Sequence, residues 1–133
     1  METEPQLIAD YVRTGKVQIV YRHLLQLGPG SLSTGEASEC AGAQGKFWQT
    51  RKRLYELHGA LPADLLQQVG IDANRYATCM NSHQSEAAVE ADNADAVKNN
   101  IVGRPYFIIG GDTRLIGSQP YSVFQRAIDA KLR

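Results

Sequence analysis

The sequence has few cysteines, no excess of charge of either sign and no long apolar run. Cys40 and Cys79 are too few for a scaffold built on disulfides, and they form no C-x-x-C redox or zinc pair. Basic and acidic side chains both number 14, which argues against a dedicated nucleic-acid-binding protein. No apolar stretch approaches the roughly 20 residues that cross a bilayer, and METEPQLIADYV at the start resembles no export signal. We therefore expect neither a nucleic-acid nor a membrane partner.

The size and composition are those of a globular domain. A chain of 133 residues is long enough to bury about two-thirds of the surface that its unfolded form exposes. Hydrophobic residues make up 43% and charged residues 21%, which argues against both wholesale disorder and a fibrous architecture. We expect a single domain over residues 1–133.

Hydrophobic periodicity predicts a helix followed by a strand in the first part of the chain. Apolar side chains over residues 2–13 form one stripe of a helix, which Thr14-Gly15 ends. In KVQIVYRHL, residues 16–24, apolar and polar positions alternate and the content is β-branched and aromatic, as in a strand. LGPGS, residues 27–31, is predicted to be a loop because it contains both strong local breakers.

The middle of the chain, from residue 32 to about residue 100, has helical signals. Phe47, Trp48, Leu54 and Tyr55 are predicted to form the core face of one amphipathic helix. PADLLQQVG is typical of a short capped helix, Asp72 of an N-cap, and SEAAVEADNADAVKNN of a longer alanine-rich helix. These patterns predict a helical subdomain.

The last part of the chain predicts a β-hairpin and a closing helix. YFII and TRLIG are short apolar strands around the tight turn GGD, residues 110–112. Tyr121, Phe124 and Ile128 then share one face of a helix. The order helix, strand, helical block, hairpin and helix indicates an α/β fold with an inserted helical unit.

Several of these segments resemble the C-terminal half of DsbA-like thiol-disulfide oxidoreductases. The matching elements are VGxP before the first hairpin strand, FIIGG through the turn and IGxQPY at the start of the last helix, with YVRTGKVQIVYRH and CAGAQGKFW upstream. The resemblance covers nearly the whole chain and implies a thioredoxin-like fold. Its thioredoxin-like parts would be about residues 1–27 and 101–133, and its helical insertion about residues 31–100.

One departure from the family pattern changes what the resemblance implies about activity. Family members begin with a strand and carry C-x-x-C at the start of the first helix, where the helix dipole lowers the thiol pKa. This sequence begins within the segment that matches that helix, so we expect a truncated thioredoxin-like fold, no catalytic residue and no redox activity in this form. The missing strand would be central, and we expect a homodimer that covers the gap. Met1 is either an internal methionine of a longer, exported protein or the natural start, and the compartment stays open.

The resemblance also implies three roles for individual residues. Pro105 would be the cis-proline whose loop holds a peptide or protein thiol substrate, and Arg104 replaces the small or β-branched residue that contacts it. Arg104 would alter or block peptide binding, unless it only points to solvent. Cys40 and Cys79 lie where some extracytoplasmic relatives have a structural disulfide. The alternatives are two buried thiols or a relocated redox pair.

The remaining candidates for a functional site have simpler explanations. Cys79, His83 and Cys40 lack an evident fourth zinc ligand, so we expect no metal. His23 is predicted to be a hydrogen-bonded loop residue rather than a catalytic one.

We also expect no cofactor and no nucleic-acid patch. The glycines around the hairpin do not precede a long helix as a phosphate-binding loop does, and Met80 and Trp48 are core candidates rather than cofactor contacts. The basic side chains of KFWQTRKR, residues 46–53, are expected to form a solvated helix face. A peptide-binding or dimerising module without catalysis stays an alternative function.

Overall fold

The computed structural model describes residues 2–26 and 28–133, and of Pro29 only the backbone. Met1 and Leu27, which bound the predicted segment 1–27 and the start of the predicted loop, lie outside the described residues. The chain divides into two compact units, one of Met1–Tyr21 with Val97–Arg133 and the other of Arg22–Ala96. No helix in the described part of the chain has both the length and the apolar content needed to cross a membrane.

The first unit contains the opening helix, the hairpin and the closing helix. Helix α1 (Thr3–Leu7) continues into a π-helical turn (Ile8–Val12), which confirms the predicted opening helix. Strands β1 (Tyr106–Ile109) and β2 (Thr113–Ile116) form the predicted antiparallel hairpin, with Tyr106 opposite Ile116. The last helix of the chain, Tyr121–Lys131, is also as predicted.

The hairpin turn depends on a glycine that no other residue replaces without strain. Gly110 has φ of 61°, and a Cβ atom added there would lie 2.7 Å from the side chain of Lys131. Lys131 Nζ pairs with the carboxylate of Asp112, and this hydrogen bond holds the pKa of Asp112 below its usual range. The turn therefore packs closely against the end of the last helix.

Aromatic side chains build the core of the first unit. Tyr11, Phe124 and Ile128 are buried together, and Phe107 meets Phe124 edge to face with ring centroids 4.7 Å apart. The Tyr11 hydroxyl donates to Asp129 Oδ1 at 2.7 Å, which satisfies the polar end of a buried ring. The predicted inward face of the last helix is thus confirmed at Phe124 and Ile128.

The strand predicted at residues 16–24 does not form. Among the described residues the sheet has two strands, β1 and β2, and residues 17–20 have no regular secondary structure. Their side chains still alternate, with Val17 and Ile19 half-buried and Gln18 and Val20 exposed. Alternation specifies which side chains point inward, whereas a strand also requires a partner for its backbone hydrogen bonds. The prediction was right about the alternation of half-buried and exposed side chains and wrong about the backbone hydrogen bonds of a strand.

The second unit consists of helices, as predicted. They are α2 (Pro29–Gly42), α3 (Phe47–Glu56), α4 (Leu65–Val69), α5 (Ala73–Asn81) and α6 (Glu86–Lys98), the last of which runs into the first unit; the closing helix is α7. Helix α2 starts earlier than predicted, because proline is tolerated in the first turn of a helix. The side chain of Asp72 accepts from the Arg75 amide at 2.9 Å, so the predicted N-cap is confirmed.

The predicted core face of α3 is wrong in part. Thr50 and Leu54, four residues apart, are the buried side chains of this helix, while Trp48 and Tyr55 are 46% and 47% exposed. The guanidinium of Arg51 lies between the two exposed rings, 5.5 Å from one centroid and 4.8 Å from the other. The rings of Trp48 and Tyr55 lie beside the buried side chains of Thr50 and Leu54, so Trp48 is not a core residue.

Candidate functional site

A disulfide between Cys40 and Cys79 joins α2 to α5. The two cysteines are 1% and 7% exposed, with Cα atoms 5.8 Å apart. The Ser85 hydroxyl lies 3.7 Å from one sulfur and 3.6 Å from the other. Because both sulfurs are bonded to each other, neither is a thiolate ligand, which excludes the zinc site weighed for Cys79, His83 and Cys40.

A cleft of about 360 Å³ lies beside this disulfide. Both cysteines contribute to its wall, together with the polar side chains of Gln44, Asn74 and Thr78. The amide group of Gln44 also bridges to residue 72, accepting from the Asp72 amide at 2.8 Å. The two sulfurs are thus nearly buried, although both cysteines border a cleft of mixed polar and apolar lining.

A histidine that is hydrogen-bonded to a buried carboxylate lies four residues after Cys79 in the same unit. His83 Nδ1 donates to Oε1 of the buried Glu36 at 3.0 Å, and Oε2 of Glu86 lies 3.7 Å from the same nitrogen. The hydrogen bond and charge of Glu36, with the charge of Glu86, raise the pKa of His83, and desolvation opposes them in part. Both carboxylates therefore face the same nitrogen of one imidazole.

His23 is buried in a hydrogen-bonded setting. It is 5% exposed, its Nε2 lies 2.7 Å from Glu39 Oε1, and its backbone amide donates to Asp92 at 3.0 Å. The ring also meets Phe47 edge to face. These contacts hold His23 in place as part of the packing of the second unit.

The loop before β1 carries the other predicted site residues. The peptide bond between Arg104 and Pro105 is cis, and both residues are exposed. The carbonyl of Pro105 accepts from the Gly117 amide at 2.8 Å, which ties the loop to the end of β2. Val102, two residues before Arg104, is 65% exposed. The loop therefore presents exposed side chains from a position that the hairpin supports.

Sequence reasoning missed the carboxylates that surround His83. Glu36 precedes Cys40 by four residues and His83 follows Cys79 by four, so the cross-link brings together the residues one helical turn away on each side. This spacing is a usable signal only once the two cysteines are known to pair. Glu86 adds no signal of its own, because nothing in the sequence distinguishes it from the other glutamates.

The thioredoxin family model matches residues 1–130. This chain belongs to the thioredoxin family. Two curated relatives are the Na(+)/H(+) antiporter NhaA 1 of Salinispora arenicola and NhaA 3 of Salinispora tropica. Each is 29% identical over 112 residues, which cover 80% of this chain. The chain spans only 17% of the length of these relatives.

Two solved structures share the fold of this thioredoxin-family chain. The thiol-disulfide exchange protein alpha-DsbA2 from Wolbachia pipientis superposes with a TM-score of 0.82 at 20% identity, over 97% of this chain and 71% of the other. A thioredoxin-like oxidoreductase from Silicibacter pomeroyi DSS-3 gives 0.75 at 24% identity, over 98% and 75%. These likenesses confirm the predicted thioredoxin-like fold and the resemblance to DsbA-like proteins.

Proposed function

We propose that this chain is a DsbA-like domain for thiol-disulfide exchange, and that it holds an extended segment of a protein thiol substrate at the loop before β1. The observation that carries the proposal is the exposed segment from Val102 to Pro105 in a chain of this fold. The hydrogen bond from Gly117 supports that loop, so a bound segment meets a surface that needs little ordering. Arg104 would favour substrates with a carboxylate next to the held segment.

The role proposed for the Cys40–Cys79 bond is structural rather than catalytic. Exchange requires a thiolate to reach a disulfide sulfur, and the two cysteines are 1% and 7% exposed. A bond between two helices also constrains the unfolded chain. Since the 133 residues hold no other cysteine, we propose that this chain alone binds substrate without oxidising it.

The test is binding of a short labelled peptide to the disulfide-intact chain. The peptide has one alkylated cysteine flanked by glutamate, and binding is followed by anisotropy and by amide chemical shifts. We expect shifts centred on residues 102–106 and a roughly tenfold loss of affinity in Arg104→Ala, as for the loss of one charge-assisted contact. Arg126→Ala, at another exposed arginine of the same unit, is the matched control.

Three outcomes would contradict the proposal. Shifts elsewhere in the chain, or equal affinities of the Arg104→Ala and Arg126→Ala variants, would remove the loop as the binding site. A dithiol-exchange assay on the chain alone is expected to show no turnover. Turnover that disappears in a variant with alanine at Cys40 and Cys79 would instead support the relocated redox pair.

We also propose that the chain forms a homodimer through residues 17–20. Val17 packs on the same core as Phe107 and Ile109, while the exposed Val20 and the alternating pattern are typical of a strand that accepts a partner. Sedimentation should show a dimer that Val20→Lys dissociates, because charged residues block edge pairing. Val97→Lys, at a similarly exposed valine on α6, should leave the dimer intact. A wild-type monomer at about 100 µM, far above the dissociation constants of most specific dimers, would refute the proposal.

A further inference from the structure

Three side chains of the second unit bring metal-binding atoms together. Glu36 comes from α2, His83 from the turn between α5 and α6, and Glu86 is the first residue of α6. One nitrogen and two carboxylate oxygens from these residues all lie within 4.8 Å of one another. His83 and Glu86 are three residues apart in sequence, and the tertiary fold brings Glu36 to them.

The spacing of these atoms suits a small transition-metal ion. Zinc binds nitrogen and oxygen at about 2.0–2.2 Å, so neighbouring ligands in a tetrahedral site lie roughly 3.3–3.6 Å apart. The observed separations from His83 Nδ1 are 3.0 Å to Glu36 and 3.7 Å to Glu86, on either side of that range. Rotamer adjustments of a few tenths of an ångström would place all three around one ion.

One side of the site is buried and the other side is open to solvent. The side chain of Glu36 is 5% exposed, whereas those of His83 and Glu86 are 62% and 37% exposed. A buried carboxylate requires a polar partner, and here His83 Nδ1 lies 3.0 Å from Glu36 Oε1. The exposed side leaves room for water as the fourth ligand, as in zinc sites that keep an open position.

The disulfide supports the same cluster. Cys40 follows Glu36 by one helical turn, and Cys79 precedes His83 by four residues, so the cross-link holds together the segments that carry two of the donors. Donors on a fixed scaffold lose little freedom when an ion binds. We propose that Glu36, His83 and Glu86 form a binding site for Zn²⁺, completed by water.

The choice of ion follows from the donor chemistry. An imidazole with two carboxylates suits zinc and other late first-row ions, whereas Ca²⁺ takes six to eight oxygen ligands and Mg²⁺ near-octahedral oxygen. Neither hard cation has that oxygen set among these three residues.

The test is titration of the full, disulfide-intact chain with ZnCl₂ by calorimetry, repeated with CoCl₂ to record visible absorption. We expect one ion per chain and a cobalt spectrum of low-symmetry, four-coordinate type. His83→Gln and Glu86→Gln should each weaken binding at least about tenfold, because even the loss of a residue that only orients a ligand costs roughly 10–100-fold. His58→Gln and Glu90→Gln are the matched controls, at an exposed histidine and an exposed glutamate of the same unit.

The exposed position of His83 makes His83→Gln a variant that should fold, so its zinc affinity can decide the proposal. Glu36→Gln changes a buried side chain, and this variant can fail to fold. In that case His83→Gln provides the test. Circular dichroism verifies each variant. The proposal is overturned if the wild type binds no Zn²⁺ at 100 µM, roughly the weak limit of a specific site. It is also overturned if His58→Gln removes binding while His83→Gln retains it.

Discussion

Removing the Cys40–Cys79 cross-link should cost this chain a large part of its stability. The two cysteines are 39 residues apart in sequence, and the bond prevents the unfolded chain from opening that loop. The chain-entropy relation for a loop of this length gives about 4 kcal/mol at 25 °C. A typical domain has only about 5–15 kcal/mol in total, so the loss would be evident in any unfolding experiment.

The assay is urea unfolding followed by circular dichroism on three samples. These are the oxidised wild type, the wild type with a phosphine reductant, and a variant with alanine at Cys40 and Cys79. With an m-value of about 2 kcal/mol/M, the midpoint should fall by roughly 2 M in both the reduced protein and the variant. The variant is its own control for the reductant, which should not change its midpoint.

Two results would refute this reasoning. A free-thiol count on the unreduced, denatured protein should find no reactive cysteine, and two reactive cysteines would mean that the bond does not form. A loss below about 1 kcal/mol with the bond present would mean that the unfolded chain gains little freedom from reduction. The outcome also bears on function. A bond that stabilises the fold by this amount has a structural role that does not require exchange chemistry.

Three further predictions concern the core, the hairpin turn and one histidine. Phe124→Ala should lower the free energy of unfolding by about 3–5 kcal/mol and Phe124→Leu by clearly less, as measured by urea unfolding; equal losses would contradict the aromatic packing. Gly110→Ala should lower it by roughly 1–2 kcal/mol because of its positive φ, whereas Gly30→Ala, in open space, should be nearly neutral. Because the pKa of His83 is raised in the folded state, the Tm of the wild type should exceed that of His83→Gln by the largest amount below about pH 6.5. This difference in Tm should disappear as the pH rises through the folded pKa. A Tm difference that does not depend on pH would contradict the prediction.

Local signals in the sequence determined most of the elements of this protein. The Asp72 cap, the left-handed Gly70 after α4 and the glycines of the hairpin turn act through their own backbone neighbours, so they are readable without the fold. The inward face of α7 was readable for a similar reason, because Phe124 and Ile128 are one helical turn apart. The pairing of the cysteines came from the family resemblance and not from local chemistry.

Only the tertiary structure decided which segments and side chains meet. Residues 17–20 have a strand's alternation, but a ladder needs a neighbouring backbone, which the pattern cannot specify. Trp48 has a large hydrophobic side chain of the kind found in cores, yet α3 buries Thr50 and leaves the Trp48 ring half exposed. The cluster around His83 combines residues up to 50 positions apart in numbering, from 36 to 86. Local propensity acts over a few residues, whereas these features depend on contacts between distant parts of the chain.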